Sequence, residues 1–546
     1  MEYETLILPT KGVSRSAIYI KSPIPSYVGN PLIEALPPIL STKNAIKKLA
    51  HYPDYDEFYR KLPSEERYQM LEDIVRFFTP LKIHIDLERR ISRVIRAGLI
   101  ERNPMKTSFW QKNLQRSSKV NSNSISQYGD DDDFHSTSAY GFNIVGISGG
   151  GKSLSIERIL RLLPQLIRHK RYKNCNFTFS QIVWLKLDCP FDGGIKGLCI
   201  NFFQTVDSIL GTSYHKNYGS KSRNTDEMLP YMALVAANHG IGVLVIDEIQ
   251  RLSLANSGGI EKMLNFFVQI VNTVGVPVIL VGTYKSLSIF DGNFSQMRRG
   301  TGQGDLVWDR MRLDEEWTLF VKALWHFQYT RKICTLEDNP ELIEVLYEES
   351  QGITDLAVKA YMLAQERAIE TGKELITAAV IRSACKDKFR IVRPALDALK
   401  SKQKNALIHF EDAYPKFLEI YIQNAANFPA EQPQSKSLKI YGEIGSAPEI
   451  RSLNKKGSGS KNFEFIDSVN SKNEASDSQG SSLANFDLSF EKAGKSENPS
   501  RGTKSAILPE VLNSVKDISG KTAHAALAKT GYIRSCDEFI TPDTQS

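Results

Sequence analysis

The sequence predicts an α/β fold, a parallel sheet covered by helices on both faces, with further units around it. Three observations lead there. Short apolar runs, "GFNIVGI", "QIVWLKLDC", "GVLVIDEI" and "VPVILVG", alternate with helix-patterned segments. Runs that are apolar at nearly every position suit strands buried on both faces, and strand-helix alternation implies parallel pairing. The first run ends in a glycine-rich turn that opens a helix, an arrangement suited to cradling phosphate.

A chain of 546 residues exceeds what one hydrophobic core organises, so several units are expected. Residues 1–80 are rich in Pro and Tyr: "SPIPSYVGNPLIEALPPIL" predicts turning chain, followed by short helical pieces such as "SEERYQMLEDIVRFF". That stretch reads as a small accessory domain. The α/β core is expected over 81–311, opening with the helically spaced apolar residues of "LKIHIDLERRISRVIRAGLI". Within it a polar, serine-rich stretch at about 113–139, carrying Asp130 to Asp133, predicts a loop or insertion. In "EKMLNFFVQIVNTVG", Met263, Phe266, Phe267, Ile270 and Val274 recur every three or four residues, a stripe that packs on a sheet. From 312 to 400 the strand pattern gives way to helices ("EEWTLFVKALWHFQ", "DLAVKAYMLAQERAIE"), which suggests a helical lid, with a helical extension over 401–430. Residues 431–504 are rich in Ser, Lys, Asn and Gly and bury too little to offset chain entropy, so a disordered linker is expected. Residues 505–546 regain apolar content and read as a segment that folds on a partner.

Composition sets limits. Hydrophobic content of 41% and charged content of 24% are those of a globular protein, and the net charge of +7 leans toward an anionic partner. No apolar run reaches membrane-spanning length and "MEYETLILPTKG" lacks an export core, so a soluble chain without membrane contact is expected. Six scattered cysteines with no C-x-x-C pair argue against a disulfide framework or a zinc site and fit a reducing cytoplasm.

The chemistry begins at "GISGGGKS": Gly146, Ile147, Ser148, Gly149, Gly150, Gly151, Lys152 and Ser153 match G-x-x-x-x-G-K-S in full, after a strand and at a helix start. The glycines let successive N–H groups turn toward a polyphosphate, and the helix start adds a positive dipole end. Lys152 reaches the β and γ phosphates of ATP and Ser153 ligates Mg²⁺ in such a loop. "VLVIDEIQ" then sets Asp247 and Glu248 directly after an apolar strand. There Asp247 helps to hold Mg²⁺ and Glu248 orients and deprotonates the attacking water.

Other positions take meaning by likeness. Thr283, ending "VPVILVGT", resembles the sensor 1 position of AAA+ ATPases, and Arg298 or Arg299 in "NFSQMRRGTG" stands where AAA+ initiators carry an arginine finger acting on a neighbour's nucleotide. The sensor 2 arginine has no counterpart: "SQGITDLAVK" has Thr354 and Asp355 there, and the nearest cation is Lys359. Beyond the ATPase motifs, "NPLIEALPPIL", "SRVIRAGLIERNP", "LKLDCPFDGGIKGLCINFFQTVDSILGTSY", "VLVIDEIQRLS" and "MLNFFVQIVNTVGVPVILVGT" resemble the TnsC family of AAA+ regulators of bacterial DNA transposition, a group that includes TniB.

The resemblance implies an AAA+ sheet of the P-loop class, ATP and Mg²⁺ as ligands, and rings, heptameric or otherwise, or filaments of the chain on double-stranded DNA. It also implies TnsA-like and TnsB-like transposase subunits and a TnsD-like or TniQ-like target selector as partners, in some systems with a CRISPR complex. Cytoplasmic, nucleoid-associated work in a bacterium follows from it. The 505–546 segment would meet the TnsA-like subunit. Lys196 in "FDGGIKGL" and Lys216, Lys221 and Arg223 in "SYHKNYGSKSRN" are candidates for DNA phosphates, which a duplex-threaded ring must neutralise. Two alternatives stay open at this stage: another initiator-type AAA+ protein, such as a replication initiator or helicase loader, and a nucleotide-gated signalling scaffold that binds no DNA.

Overall fold

The computed structural model describes residues 6–121, 141–191, 193–219, 224–252, 266, 275–287 and 304–401. All of them belong to the first of two units into which the chain divides, residues 1–454. The expectations for 402–430, 431–504 and 505–546, and those for Met263, Phe267, Ile270 and Val274, lie outside the described residues.

Five strands make the central sheet: β3 (Phe142–Gly146), β6 (Trp184–Asp188), β7 (Val243–Asp247), β8 (Val278–Thr283) and β9 (Leu306–Trp308). Their order is β6-β7-β8-β3-β9 and every pair is parallel. β8 is therefore inserted between the strand that carries the glycine loop and the strand that carries Asp247. Alternate residues serve two cores. Leu244, Ile246, Val278 and Leu280 face one, and Val243, Val245, Ile279 and Val281 the other. Burial on both faces is what their continuous apolar sequences required. Helices Ile195–Leu210 and Thr225–Asn238 cover the first face, and helices Lys82–Ile100 and Lys152–Leu160 the second.

A second sheet carries strands β1 (Leu6–Ile7), β2 (Val13–Ser16), β4 (Leu166–Tyr172) and β5 (Cys175–Ile182), in the order β1-β2-β4-β5. β2 pairs in parallel with β4, some 150 residues later, and β4 and β5 form an antiparallel hairpin. The start of the N-terminal 80 residues, strands β1 and β2, thus shares a sheet with residues 166–182 of the α/β core, where the sequence suggested a separate accessory domain over 1–80. The physical reason is long-range strand pairing, which no local pattern encodes. The stretch expected to be irregular from residue 113 also begins as helix, because Thr107–Asn121 is one element.

Residues 315–401 carry five helices, Glu315–Trp325, Glu341–Ser350, Thr354–Glu370, Ala378–Lys388 and Arg393–Ser401. The first is capped by Asp314, whose Oδ1 accepts from Glu316 N (3.0 Å) and Trp317 N (3.1 Å), so the lid begins at a defined residue. Helix Ser64–Leu71 is tied to this region by Arg67, whose side chain is fully buried. Its guanidinium donates to both oxygens of Glu374 (2.7 and 2.8 Å) and to the carbonyls of Leu62 (3.0 Å) and Tyr329 (2.9 Å). Burial pushes the Glu374 carboxyl up, but the bonds from Arg67 and Arg331 outweigh it and hold the group below its usual value. Its contribution to stability is therefore present at neutral pH and is lost as the pH falls through the lowered value.

Glu374→Gln leaves the buried guanidinium without its carboxylate and should cost about 3 kcal/mol, the low end for such pairs because Glu374 is partly exposed. Urea unfolding checks this, and a loss under about 1 kcal/mol would deny the tie. The five described cysteines are free. No helix among the described residues is long and apolar enough to cross a membrane.

Candidate functional site

The C-terminal ends of the parallel strands open into a cavity of about 640 Å³, a size suited to a nucleotide. Strand register brings the motif residues there together. Gly146 lies opposite Thr283 on β8 and opposite Trp308 on β9, while Asp188 lies opposite Asp247 on the far strands. Ser148 to Ser153, Asp247, Glu248 and Thr283 all line the cavity, so the residues proposed for the phosphate loop, the metal, the base and sensor 1 converge on one space.

The loop needs its glycines. Gly149 and Gly151 have φ of +76° and +87°, the left-handed region that a side chain resists. A Cβ on Gly146 would lie 1.8 Å from the carbonyl oxygen of Trp308, so β9 forbids any side chain there. Helix Lys152–Leu160 starts directly after the last of these glycines, and Lys152 is buried with its Nζ donating to the carbonyls of Gly146 (3.0 Å) and Ile147 (2.6 Å). The ammonium thus sits inside the curve of the loop.

Asp247 is 3% exposed. Its Oδ1 accepts from the Glu248 N–H (2.9 Å) and its Oδ2 lies 3.2 Å from Lys186 Nζ. Lys186, on β6, also reaches Asp188 Oδ1 (2.8 Å). Burial alone would lower the Lys186 pKa, but Asp188 and Asp247 outweigh it and raise the pKa, so the group stays charged beside the carboxylate. Each Asp247 oxygen keeps a further acceptor direction, and with the half-buried Ser153 hydroxyl it offers the hard oxygen donors that Mg²⁺ prefers, alongside water and phosphate. The residues present therefore fit that ion.

Glu248 has φ +61°, left-handed for a residue other than glycine. Its Oε2 accepts from Gln250 Nε2 (2.7 Å) and lies 3.4 Å from Arg251 Nε. Gln250 Oε1 in turn accepts from the Thr283 N–H (3.0 Å). One amide therefore links the carboxylate at the end of β7 to the end of β8. Strained backbone held by a side-chain network marks sites where geometry matters more than local comfort.

A further wall of the cavity comes from residues the sequence reading left out of the site. Phe77, Phe78, Leu81, Ile83 and His84 line it. His84 Nδ1 accepts from the Leu81 N–H (2.7 Å), and burial drives its pKa down to about 3, so the ring is neutral. Its centroid lies 5.3 Å from that of Trp308, whose Nε1 donates to Gly150 O (2.6 Å). The lid closes the third side: Asp355 N donates to Gly149 O (3.3 Å), and Thr354, Asp355, Lys359, Arg310 and Arg312 line the cavity. Lys359 is held by Asp355 (2.7 Å), and Arg310 Nη1 donates to Gln351 Oε1 (3.0 Å). Sequence carried one signal beyond the motifs: Lys186 is a cation inside the apolar run "VWLKL".

The remaining candidates separate. Arg298, Arg299, Lys221 and Arg223 lie outside the described residues. Lys196 is half-buried in helix Ile195–Leu210 and Lys216 is exposed on the short helix Tyr214–Tyr218; neither lines the cavity.

Residues 137–290 match the family model described as an AAA domain. No curated protein matches the chain. Among solved structures, the Walker-type ATPase PABY2304 of Pyrococcus abyssi is 12% identical, over 56% of this chain and 90% of its own, with a TM-score of 0.30. The ORC2 protein of Aeropyrum pernix in its ADPNP-ADP complexes is 11% identical, over 56% and 88%, with a TM-score of 0.30. Cdc6p of Pyrobaculum aerophilum is 11% identical, over 63% and 95%, with a TM-score of 0.31. The matched family model and the parallel sheet with its helices give the chain an AAA-type ATPase domain of the AAA+ fold.

Proposed function

We propose that this chain is an ATP-hydrolysing regulator of DNA transposition that assembles with ATP on double-stranded DNA and connects a target selector to the transposase. The observation that carries the ATPase half is the convergence of Lys152, Ser153, Asp247, Glu248 and Thr283 on one cavity at the ends of parallel strands. The transposition half is supported by the TnsC-like stretches outside the ATPase motifs, several of which fall on described elements, such as "SRVIRAGLIERNP" at the end of helix Lys82–Ile100.

In this reading Lys152 and the loop N–H groups bind the β and γ phosphates, and Phe77, Phe78 and His84 receive the base end. Ser153 and Asp247 would hold Mg²⁺, which neutralises charge on the phosphates. Glu248 takes the proton of the attacking water, and Gln250 fixes its carboxylate. Thr283 offers a hydroxyl near the γ-phosphate. Arg299 or Arg298 of a neighbouring copy stabilises the charge that develops on transfer, which makes hydrolysis wait for assembly. TnsA-like and TnsB-like subunits and a TnsD-like or TniQ-like selector are the proposed partners.

Electron microscopy of the full chain with duplex DNA and a slowly hydrolysed ATP analogue tests this. Rings or filaments are expected only when nucleotide and duplex are both present. Nucleotide-driven oligomers indifferent to duplex would overturn the DNA reading and favour a signalling scaffold.

A further inference from the structure

The β1-β2-β4-β5 sheet carries one sign of charge. Residues 6–16 and 166–182 contain Lys11, Arg15, Arg168, Lys170, Arg171 and Lys173 and no Asp or Glu. Four of these cations fall on the β4–β5 hairpin. Arg168, Lys170, Arg171 and Lys173 are all exposed, and among the described residues none of them forms an ion pair.

The hairpin is firmly based. Its inner side chains, His169, Tyr172, Phe177, Phe179 and Gln181, are buried. Gln181 donates to Leu32 O (2.9 Å) and its Oε1 lies 3.0 Å from His169 Nε2. Glu34, an acid of the described N-terminal segment, does not neutralise the outer face. It is buried beneath the sheet, where its oxygens accept from Tyr172 OH (2.7 Å) and Gly29 N (2.8 Å).

The outer face matches a phosphate backbone in chemistry as well as sign. Arg168 lies opposite Ser180 and Arg171 opposite Asn176, and Thr178 is exposed between them. Guanidinium, ammonium, hydroxyl and amide donors are the groups that contact DNA phosphate and sugar without reading bases. No large apolar side chain of the hairpin is exposed, so the face lacks the aromatic or aliphatic anchor on which protein partners depend. A bulge between His169 and Arg171 interrupts the pleat and brings consecutive cations to the surface. At the tip Lys173 holds φ +51°, a turn position that usually goes to Gly or Asn.

We propose that the outward face of the β4–β5 hairpin binds the sugar-phosphate backbone of duplex DNA, independently of base sequence, through Arg168, Lys170, Arg171 and Lys173. The assignment rests on the DNA-bound reading given above and adds a surface to it that is distinct from Lys196 and Lys216. The hairpin residues are absent from the cavity, so their replacement leaves nucleotide affinity without DNA unchanged.

The test uses the full chain carrying Arg168→Gln, Lys170→Gln, Arg171→Gln and Lys173→Asn together, with a slowly hydrolysed ATP analogue and a fluorescent duplex titrated over a range of salt. Every phosphate that the variant no longer neutralises takes about 0.9 from the slope of log affinity against log salt, so a slope shallower by up to about 3.6 for the four cations and an affinity reduced at least about tenfold are expected. Unchanged affinity for a fluorescent ATP analogue without DNA reports intact folding. If the wild-type chain binds duplex and the variant keeps both slope and affinity, the hairpin surface is wrong and the DNA reading stands. If the wild-type chain binds no duplex, both fall. Poly-glutamate that competes as well as duplex at equal charge overturns the hairpin assignment in favour of an acidic protein partner.

Discussion

Lys152→Ala should reduce ATP affinity at least about 100-fold, close to 3 kcal/mol at 1.4 kcal/mol per tenfold. The buried ammonium now donates to Gly146 O and Ile147 O, carbonyls that point the same way into the loop's interior. With alanine the curve of the loop keeps its acceptors and loses its cation, so a polyphosphate would meet oxygen where it needs positive charge. Helix Lys152–Leu160 tolerates alanine well, so folding is expected to survive. Titration with a fluorescent ATP analogue measures the loss, and assembly on duplex should vanish with it. Nucleotide-dependent DNA complexes that persist in this variant would remove Lys152 from the phosphate site.

Glu248→Gln should leave ATP affinity nearly unchanged and lower turnover by about 10²- to 10⁴-fold, the usual worth of a positioned general base. The substitution keeps shape and both neighbours, because the Gln250 amide (2.7 Å) still has an oxygen to donate to. What disappears is the capacity to accept a proton. Gln250→Ala asks a narrower question. Without the amide that joins Glu248 to the Thr283 N–H, the carboxylate loses one of its two restraints, and kcat should fall about tenfold, or 1.4 kcal/mol of barrier, with KM unchanged. Parallel losses in kcat and KM would instead mean that Gln250 supports the cavity as a whole. Wild-type turnover in Glu248→Gln would remove Glu248 as the base.

The nucleotide loop was legible in the sequence because its conformation admits few residues: positive φ at Gly149 and Gly151 and the closeness of Trp308 O to Gly146 leave glycine as the solution. The central strands were legible for a similar reason, since burial on both faces writes an unbroken apolar run. The hairpin was not. Arg168, Lys170 and Arg171 interrupt the pattern of β4, and the preceding "RLLPQL" reads as a continuing helix although the helix ends at Leu160. β9 is only three residues long, too short for any period to register. In the site, Gln250, Lys186, His84 and Trp308 gain their roles from neighbours on other elements, and such pairing is invisible until the chain is folded. The lid offered a partial signal. Asp355 does face the phosphate loop, yet it arrives with a backbone N–H and a carboxylate, and the cations near it are Lys359 and Arg310.

Trp308 has one further consequence. Its ring lies against His84, while its N–H is fastened to Gly150 in the glycine loop. The indole is a strut between two cavity walls, beside the contact of the Arg158 guanidinium over the Phe78 ring (4.7 Å). A displacement of His84 loads the strut and is felt at Gly150 in the glycine loop. On the proposed reading of that loop, whatever engages residues 77–84 would have mechanical leverage on the phosphate site.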